Sequence, residues 1–221
     1  MNIEDFKLEY LDMYYIYTGS STGASESEPY CSTYIDFARK DLQDSKDLRG
    51  ICNAVSNSKR ALHRRIDTLC DTLGCALNKQ AKNNFPSKLE YLSKCGVITP
   101  QILYRLNSIR NKIEHDYEAI EYSEAENYID IIELFLVATS IFLKNYPSNM
   151  GGNLMDFEEF KKYEFYKDLP QEIELDVDLK HGKIKLKLYD PKKIGEIKID
   201  ISDDNYFEWL HKLMFSYFGN Y

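Results

Sequence analysis

Leu106-Asn107-Ser108-Ile109-Arg110-Asn111-Lys112-Ile113-Glu114-His115-Asp116-Tyr117 is the stretch around which the rest of the chain arranges itself. Just upstream, Thr99-Pro100 reads as a helix start, with a hydroxyl at the N-cap and proline at the first helical position, where its missing N–H costs nothing. Ile102, Leu103, Leu106, Ile109 and Ile113 then make one buried stripe. The helix should run out near His115, which leaves Arg110, Asn111 and His115 at its C-terminal end. Basic residues there have an ordinary explanation. Cations are stabilised at the negative end of the helix dipole, and Glu114 and Asp116 are near enough to pair with them.

Helical periodicity continues on both sides. Leu48 to Leu77 carries Ile51, Val55, Ala61, Leu62, Ile66, Leu69, Leu73 and Leu77 mostly at three- and four-residue steps, while Lys59, Arg60, His63, Arg64 and Arg65 crowd the other faces. A shorter helix opens at Phe85-Pro86-Ser87 and closes at Gly96. Downstream, Ser123-Glu124-Ala125-Glu126 reads as a capping box that launches a helix to about Lys144. Residues 3–17 and Tyr30 to Asp44 also fall on a roughly helical period, with a Ser/Gly/Glu loop from Gly19 to Pro29 between them.

Asn145 to Asn153, with Pro147, Gly151 and Gly152, reads as a linker. Beyond it Leu154 to Leu169 reads as a charged, aromatic helix, and then the period switches to two. Ile173, Leu175, Val177 and Leu179 alternate with acids, His181-Gly182 makes a turn, and Ile184, Leu186 and Leu188 alternate with lysines. Ile197, Ile199 and Ile201 supply a third strand, and Asn205 to Phe218 a closing helix. The expected fold is therefore mainly α. It comprises a helical domain over residues 1–145, a linker over 146–153 and a small α+β module over 154–221 built on a hairpin of two or three strands.

Hydrophobic residues make up 43% and charged residues 29% of 221, a globular composition. The most apolar segment, Ile129 to Phe142, is too short to span a bilayer and is interrupted by Asp130 and Glu133. The acidic N-terminal residues do not read as a signal peptide, so a cytoplasmic protein is expected. Five cysteines, none in a Cys-x-x-Cys pair, read as free thiols, and the scattered histidines give no metal site. The net charge of −8 argues against nucleic acid, but the charge is uneven. Lys46 to His115 holds 13 Lys+Arg against 5 Asp+Glu, and the remainder holds 15 against 31. A basic middle of this kind is compatible with a local polyanion site, and equally with long helices that need solvated faces.

Arg110, Asn111 and His115, with four residues between Arg and His at a helix end, resemble the signature of the HEPN superfamily. The resemblance covers residues 40–145, including Asn57-Ser58-Lys59-Arg60-Ala61-Leu62 and Phe85-Pro86-Ser87-Lys88-Leu89, and leaves out the C-terminal module. It implies a HEPN-like helical bundle and a metal-independent endoribonuclease, either a toxin or an antiviral defence effector. It also implies a homodimer in which two copies of the motif line one cleft. The chemistry suits the residues. Histidine titrates near neutrality and can move the 2′-OH and leaving-group protons, and arginine clamps phosphate with a fixed charge. Asn111 would orient His115 or a phosphate oxygen. The expected RNA contacts are Lys59, Arg60, His63, Arg64 and Lys112, although His63 suits a surface role as well. Arg110-x4-His115-x-Tyr117 further resembles toxins paired with a nucleotidyltransferase that adenylylates the tyrosine, and Tyr117 has the alternative of simply packing a loop. Against the nuclease stand a catalytically silent HEPN module that dimerises or docks a nucleotidyltransferase or other effector, and an RNA or nucleotide binder that does not cleave. The C-terminal module is expected to be structural, regulatory or partner-docking.

Overall fold

The computed structural model describes residues 5–24, 26–78, 84–97, 121–144, 146–190 and 193–218. The chain divides into two compact units. A sheet unit comprises Met1–Thr22, Lys94–Gly96 and Asn145–Tyr221, and a helical unit comprises Gly23–Ser93 and Val97–Lys144.

In the helical unit, α1 (Cys31–Asp44), α2 (Leu48–Thr72), α3 (Phe85–Lys94) and α4 (Tyr122–Thr139) are followed by a single turn, Ile141–Lys144. Asp47 caps α2 by accepting a hydrogen bond from the Gly50 N–H at 2.8 Å, which satisfies one of the donors left open at a helix start. The α2 stripe of Ile51, Ala54, Val55, Ala61, Leu62, Ile66 and Leu69 is buried. It packs against α1, which buries Ile35, Ala38 and Leu42, and α4, which buries Ala125, Ile129, Ile132 and Leu136. Each valine, leucine or isoleucine among them contributes about 1.5–3 kcal/mol by leaving water. The capping box of α4 is formed by Glu121 and Glu124, not by Ser123 and Glu126. Two pairs, Glu121 with Glu124 and Ser123 with Glu126, share the same spacing, and the earlier one opens the helix soon enough to bury Ala125 and Tyr128.

The expectation of a mainly α fold with a small hairpin module is wrong. The sheet unit is built on five antiparallel strands, β1 (Tyr14–Thr22), β2 (Tyr146–Leu154), β3 (Glu172–Asp178), β4 (Lys183–Asp190) and β5 (Lys193–Asp200), in that spatial order. The hairpin and third strand are present, with Leu179 and Ile201 falling just beyond the strand ends, and two further strands lie where none was expected. Residues 3–17 do not form one helix. A 3-10 turn over Leu8–Met13 gives way to β1, whose Tyr14 and Ile16 face one side and Tyr15 and Tyr17 the other. Residues 146–153 are strand and not linker. Their glycines are there for space. A Cβ on Gly151 would fall 2.4 Å from the Tyr17 ring, and one on Gly152 would fall 2.7 Å from the Ile173 side chain. Glycine inside a strand marks this kind of close approach. Leu154 to Leu169 forms short 3-10 turns, Phe160–Lys162 and Glu164–Asp168, in place of the expected helix.

Pairing fixes the two faces. Leu175 lies opposite Leu186, which lies opposite Ile197. Ile173 lies opposite Leu188, and Ile184 opposite Ile199. These make the apolar face. The closing helix α5 (Tyr206–Phe218) runs against β1 and buries Trp209, Leu210, Leu213 and Met214. The other face is polar, with Glu174 opposite Lys187 and Asp176 opposite Lys185.

Candidate nucleic-acid interface

Arg110, Asn111, Lys112, His115 and Tyr117 lie outside the described residues, as does the helix read over residues 99–115. The described part of the expected site is the outward side of α2. Arg60 is exposed there, and one of its N–H groups donates to Asn57 Oδ1 at 3.0 Å. Lys59 is half-buried. Arg64 also lies half-buried, with its guanidinium committed to the preceding loop. It donates to the Ser27 carbonyl at 2.6 Å, to Ser27 Oγ at 2.7 Å and to the Glu28 carbonyl at 3.3 Å. His63 stacks on Phe85 at the start of α3, with ring centroids 4.5 Å apart and planes 21° from parallel. This is the first of several ties by which α3 runs alongside α2. Lys88 reaches Asp67 at 2.7 Å, and the Tyr91 hydroxyl donates to the Leu73 carbonyl at 2.7 Å. Of the four α2 residues read as RNA contacts, His63 and Arg64 therefore bind within the protein, and Arg60 presents its charge most openly.

Arg65 was read as part of the basic crowd and is instead in the core, 7% exposed. Its guanidinium donates to the Leu136 carbonyl at 3.1 Å and to Thr139 Oγ1 at 3.4 Å, at the C-terminal turn of α4. Glu26 balances the charge at 2.9 Å. The last carbonyls of a helix have no intrahelical partner, so a buried cation at that end meets both an unpaired acceptor and the negative dipole. Cys31 donates to Glu26 at 3.4 Å, and its thiol is pushed up to about 11, by burial first and by Glu26 second. A thiol held protonated this way is not a nucleophile. The signal was in the sequence, because Arg65 sits on the stripe position three after Leu62 and four before Leu69.

The remaining histidines are accounted for by structure. His181 lies in the β3–β4 turn, where its Nδ1 is 2.8 Å from Asp178 Oδ2. His211 packs on Gly96, so closely that a Cβ there would lie 2.8 Å from its ring. None of the five cysteines is in a disulfide. Among the described residues no cluster of His, Cys, Asp or Glu could hold a metal ion, and no helix is long and apolar enough to cross a membrane. No family model, no curated protein and no solved structure matches the chain.

Proposed function

We propose that this chain is a cytoplasmic, metal-independent endoribonuclease of the HEPN type, acting through Arg110, Asn111 and His115. The observation that carries the reading is the order Arg110-Asn111-x3-His115 at the end of an apolar periodic stretch. The adjoining helices α3 and α4, and the excess of basic residues from Lys46 to His115, support it. In this reading His115 moves the proton of the ribose 2′-OH, Arg110 holds the charge that builds on phosphate, and Asn111 orients one of them. One His and one Arg per chain make a thin site, so two copies of the motif face one cleft in a homodimer. Arg60 and Lys112 guide the RNA backbone into it. Tyr117 is the residue a nucleotidyltransferase partner would adenylylate to silence the enzyme.

Incubation with total RNA in the presence of EDTA tests this. Cleavage should persist without metal, leave 2′,3′-cyclic phosphate ends, and fall by about 100-fold or more in His115→Ala and in Arg110→Ala. Association with RNA but no cleavage would move the assignment to a silent binding module. Cleavage that survives both substitutions would put the site elsewhere in the chain.

A further inference from the structure

The sheet has two edges, and they are unlike. The ladder of β1 with β2 loses register between Thr18 and Ser20 and again between Ser20 and Ser21. Irregularities of this kind keep an edge strand from accepting another. The ladder of β5 with β4 runs without a break from Lys183↔Asp200 to Asp190↔Lys193. Among the described residues no strand pairs with the far side of β5. Beside that edge is a groove of about 430 Å³, lined by apolar side chains, Ile197, Ile199 and Trp209 among them, and by polar ones that include Lys7, Glu196 and Glu208. A regular edge next to a partly apolar groove is what an added strand needs. Its backbone extends the ladder, and its alternate side chains enter the groove.

The charges of β5 say which strand fits. We propose that β5 pairs antiparallel with β5 of a second copy, centred on Ile197, so that the two sheets join across a two-fold axis. Residues directly opposite in such a pair share a face and come within side-chain contact. In this register Glu196 of one copy stands opposite Lys198 of the other, and the two-fold repeats that pair. On the inner face Gly195 of one copy stands opposite Ile199 of the other, so the large side chain meets a residue with none. Neighbouring registers still set the glycine against an isoleucine but lose the charge match. Centring on Lys198 sets that lysine against itself and Glu196 against Asp200, and centring on Glu196 sets two glutamates together. A shift by one residue would turn apolar residues toward polar ones, because side chains alternate with period two. Lys198 is 75% exposed and Glu196 36%, so both are available. Their 2.9 Å bond within the strand, and the 3.6 Å contact of Glu196 with Lys185 on β4, are surface contacts that rearrange at little cost. A lysine on an edge ordinarily discourages pairing. Here the glutamate two residues earlier makes the edge self-complementary. This pairing does not depend on the ribonuclease reading.

Light scattering of the whole chain tests it through charge reversal. E196K makes both positions positive and K198E makes both negative, so each repels its own copy. Either alone should raise the dissociation constant about tenfold or more and bring the measured mass down to half that of the wild type. Mixed in equal amounts, the two should associate again, because their repulsions are of opposite sign. K198Q, which removes one charge without adding a repulsion, should fall between. Thermal unfolding of each variant checks that the fold is retained, and both positions are exposed enough for that. A wild type that is monomeric at micromolar concentration, single variants with unchanged mass, or variants that stay apart on mixing would each overturn the pairing.

Discussion

The helical unit holds an ion pair inside the fold, whereas the described ion pairs of the sheet unit lie at its surface. In the first, Arg65 joins Glu26, the Leu136 carbonyl and Thr139 beneath the surface. In the second, Asn149 donates to Glu174 at 3.0 Å and to Asp176 at 2.7 Å, Tyr189 donates to Glu174 at 2.6 Å, and Lys187 lies 3.1 Å from Glu174 and 3.2 Å from Asp176. Counted as bonds, the surface network is the larger. Energetically the order reverses. Charges at the surface keep much of their water and gain little from pairing. A buried charge has given up its water, so removing one partner strands the other. Location, and not the number of pairs, decides what each network is worth.

The largest effect should therefore come from the smaller network. Arg65→Met keeps the apolar stem but leaves the Glu26 carboxylate without a cation to balance it and removes the guanidinium donor to the Leu136 carbonyl. Denaturant unfolding should show a loss of about 3–5 kcal/mol. Adding Glu26→Gln should recover a good part of it, because no uncompensated charge remains. A single substitution within about 1 kcal/mol of the wild type would show that the tie contributes nothing net.

A buried hydrogen bond without charge comes next. The Tyr91 hydroxyl donates to the carbonyl of Leu73, which caps the C-terminal end of α2. Tyr91→Phe removes the donor and leaves that carbonyl buried, at a cost of about 1–3 kcal/mol. An unchanged denaturation midpoint would mean that water reaches the Leu73 carbonyl in its place.

The same division between inside and outside explains what the sequence disclosed. The hairpin over residues 172–190 was legible because each residue there obeys one rule, apolar to one side and charged to the other. The long helix α2 was legible for the same reason. β1 and β2 were not. In Tyr14–Thr22 the polar alternates are tyrosines, which also fit a helical period. In Tyr146–Leu154 the glycines that signal a linker are required by the bulk of Tyr17 and Ile173, and those neighbours come from distant parts of the chain. At the candidate site, residue type showed which groups could meet RNA but not which were already engaged. Arg64 and Arg65 are adjacent and chemically identical, and only the 100° step of the helix sends one to the loop carbonyls and the other into the core.

The surface network should respond to pH more than to deletion. Tyr189 first and Lys187 second hold the Glu174 carboxyl below its ordinary value. A carboxylate whose pKa is lowered by folding adds stability that is present above its unfolded pKa and is lost as pH falls through the folded one. Lys187→Ala should cost a little stability at neutral pH and less in high salt. The difference from the wild type should shrink as the pH falls below the ordinary carboxylate range and Glu174 becomes protonated in both proteins. A difference that stays constant into acid would assign the effect of Lys187 to packing of its aliphatic stem.

The smallest effect should come from Tyr206, the counterpart of Tyr91 in the sheet unit. Both side chains are buried, and only Tyr91 has its hydroxyl matched. Among the described residues the Tyr206 hydroxyl has no hydrogen-bond partner. Burial raises its pKa well above the ordinary tyrosine value, and the neighbouring Cys95, Asp200 and Asp178 raise it further, so it stays neutral and cannot draw a cation for compensation. A hydroxyl taken out of water without a partner is a cost to the fold, and deleting it removes that cost. Tyr206→Phe should leave stability unchanged or raise it by about 1 kcal/mol, while the same substitution at Tyr91 lowers it. The two variants, unfolded side by side in denaturant, measure one chemical change in two surroundings. Should Tyr206→Phe instead lose as much as Tyr91→Phe, an ordered water must satisfy the hydroxyl, and Tyr206 would join Tyr14, which donates to the Pro170 carbonyl at 2.7 Å, as an internal polar tie of the sheet unit.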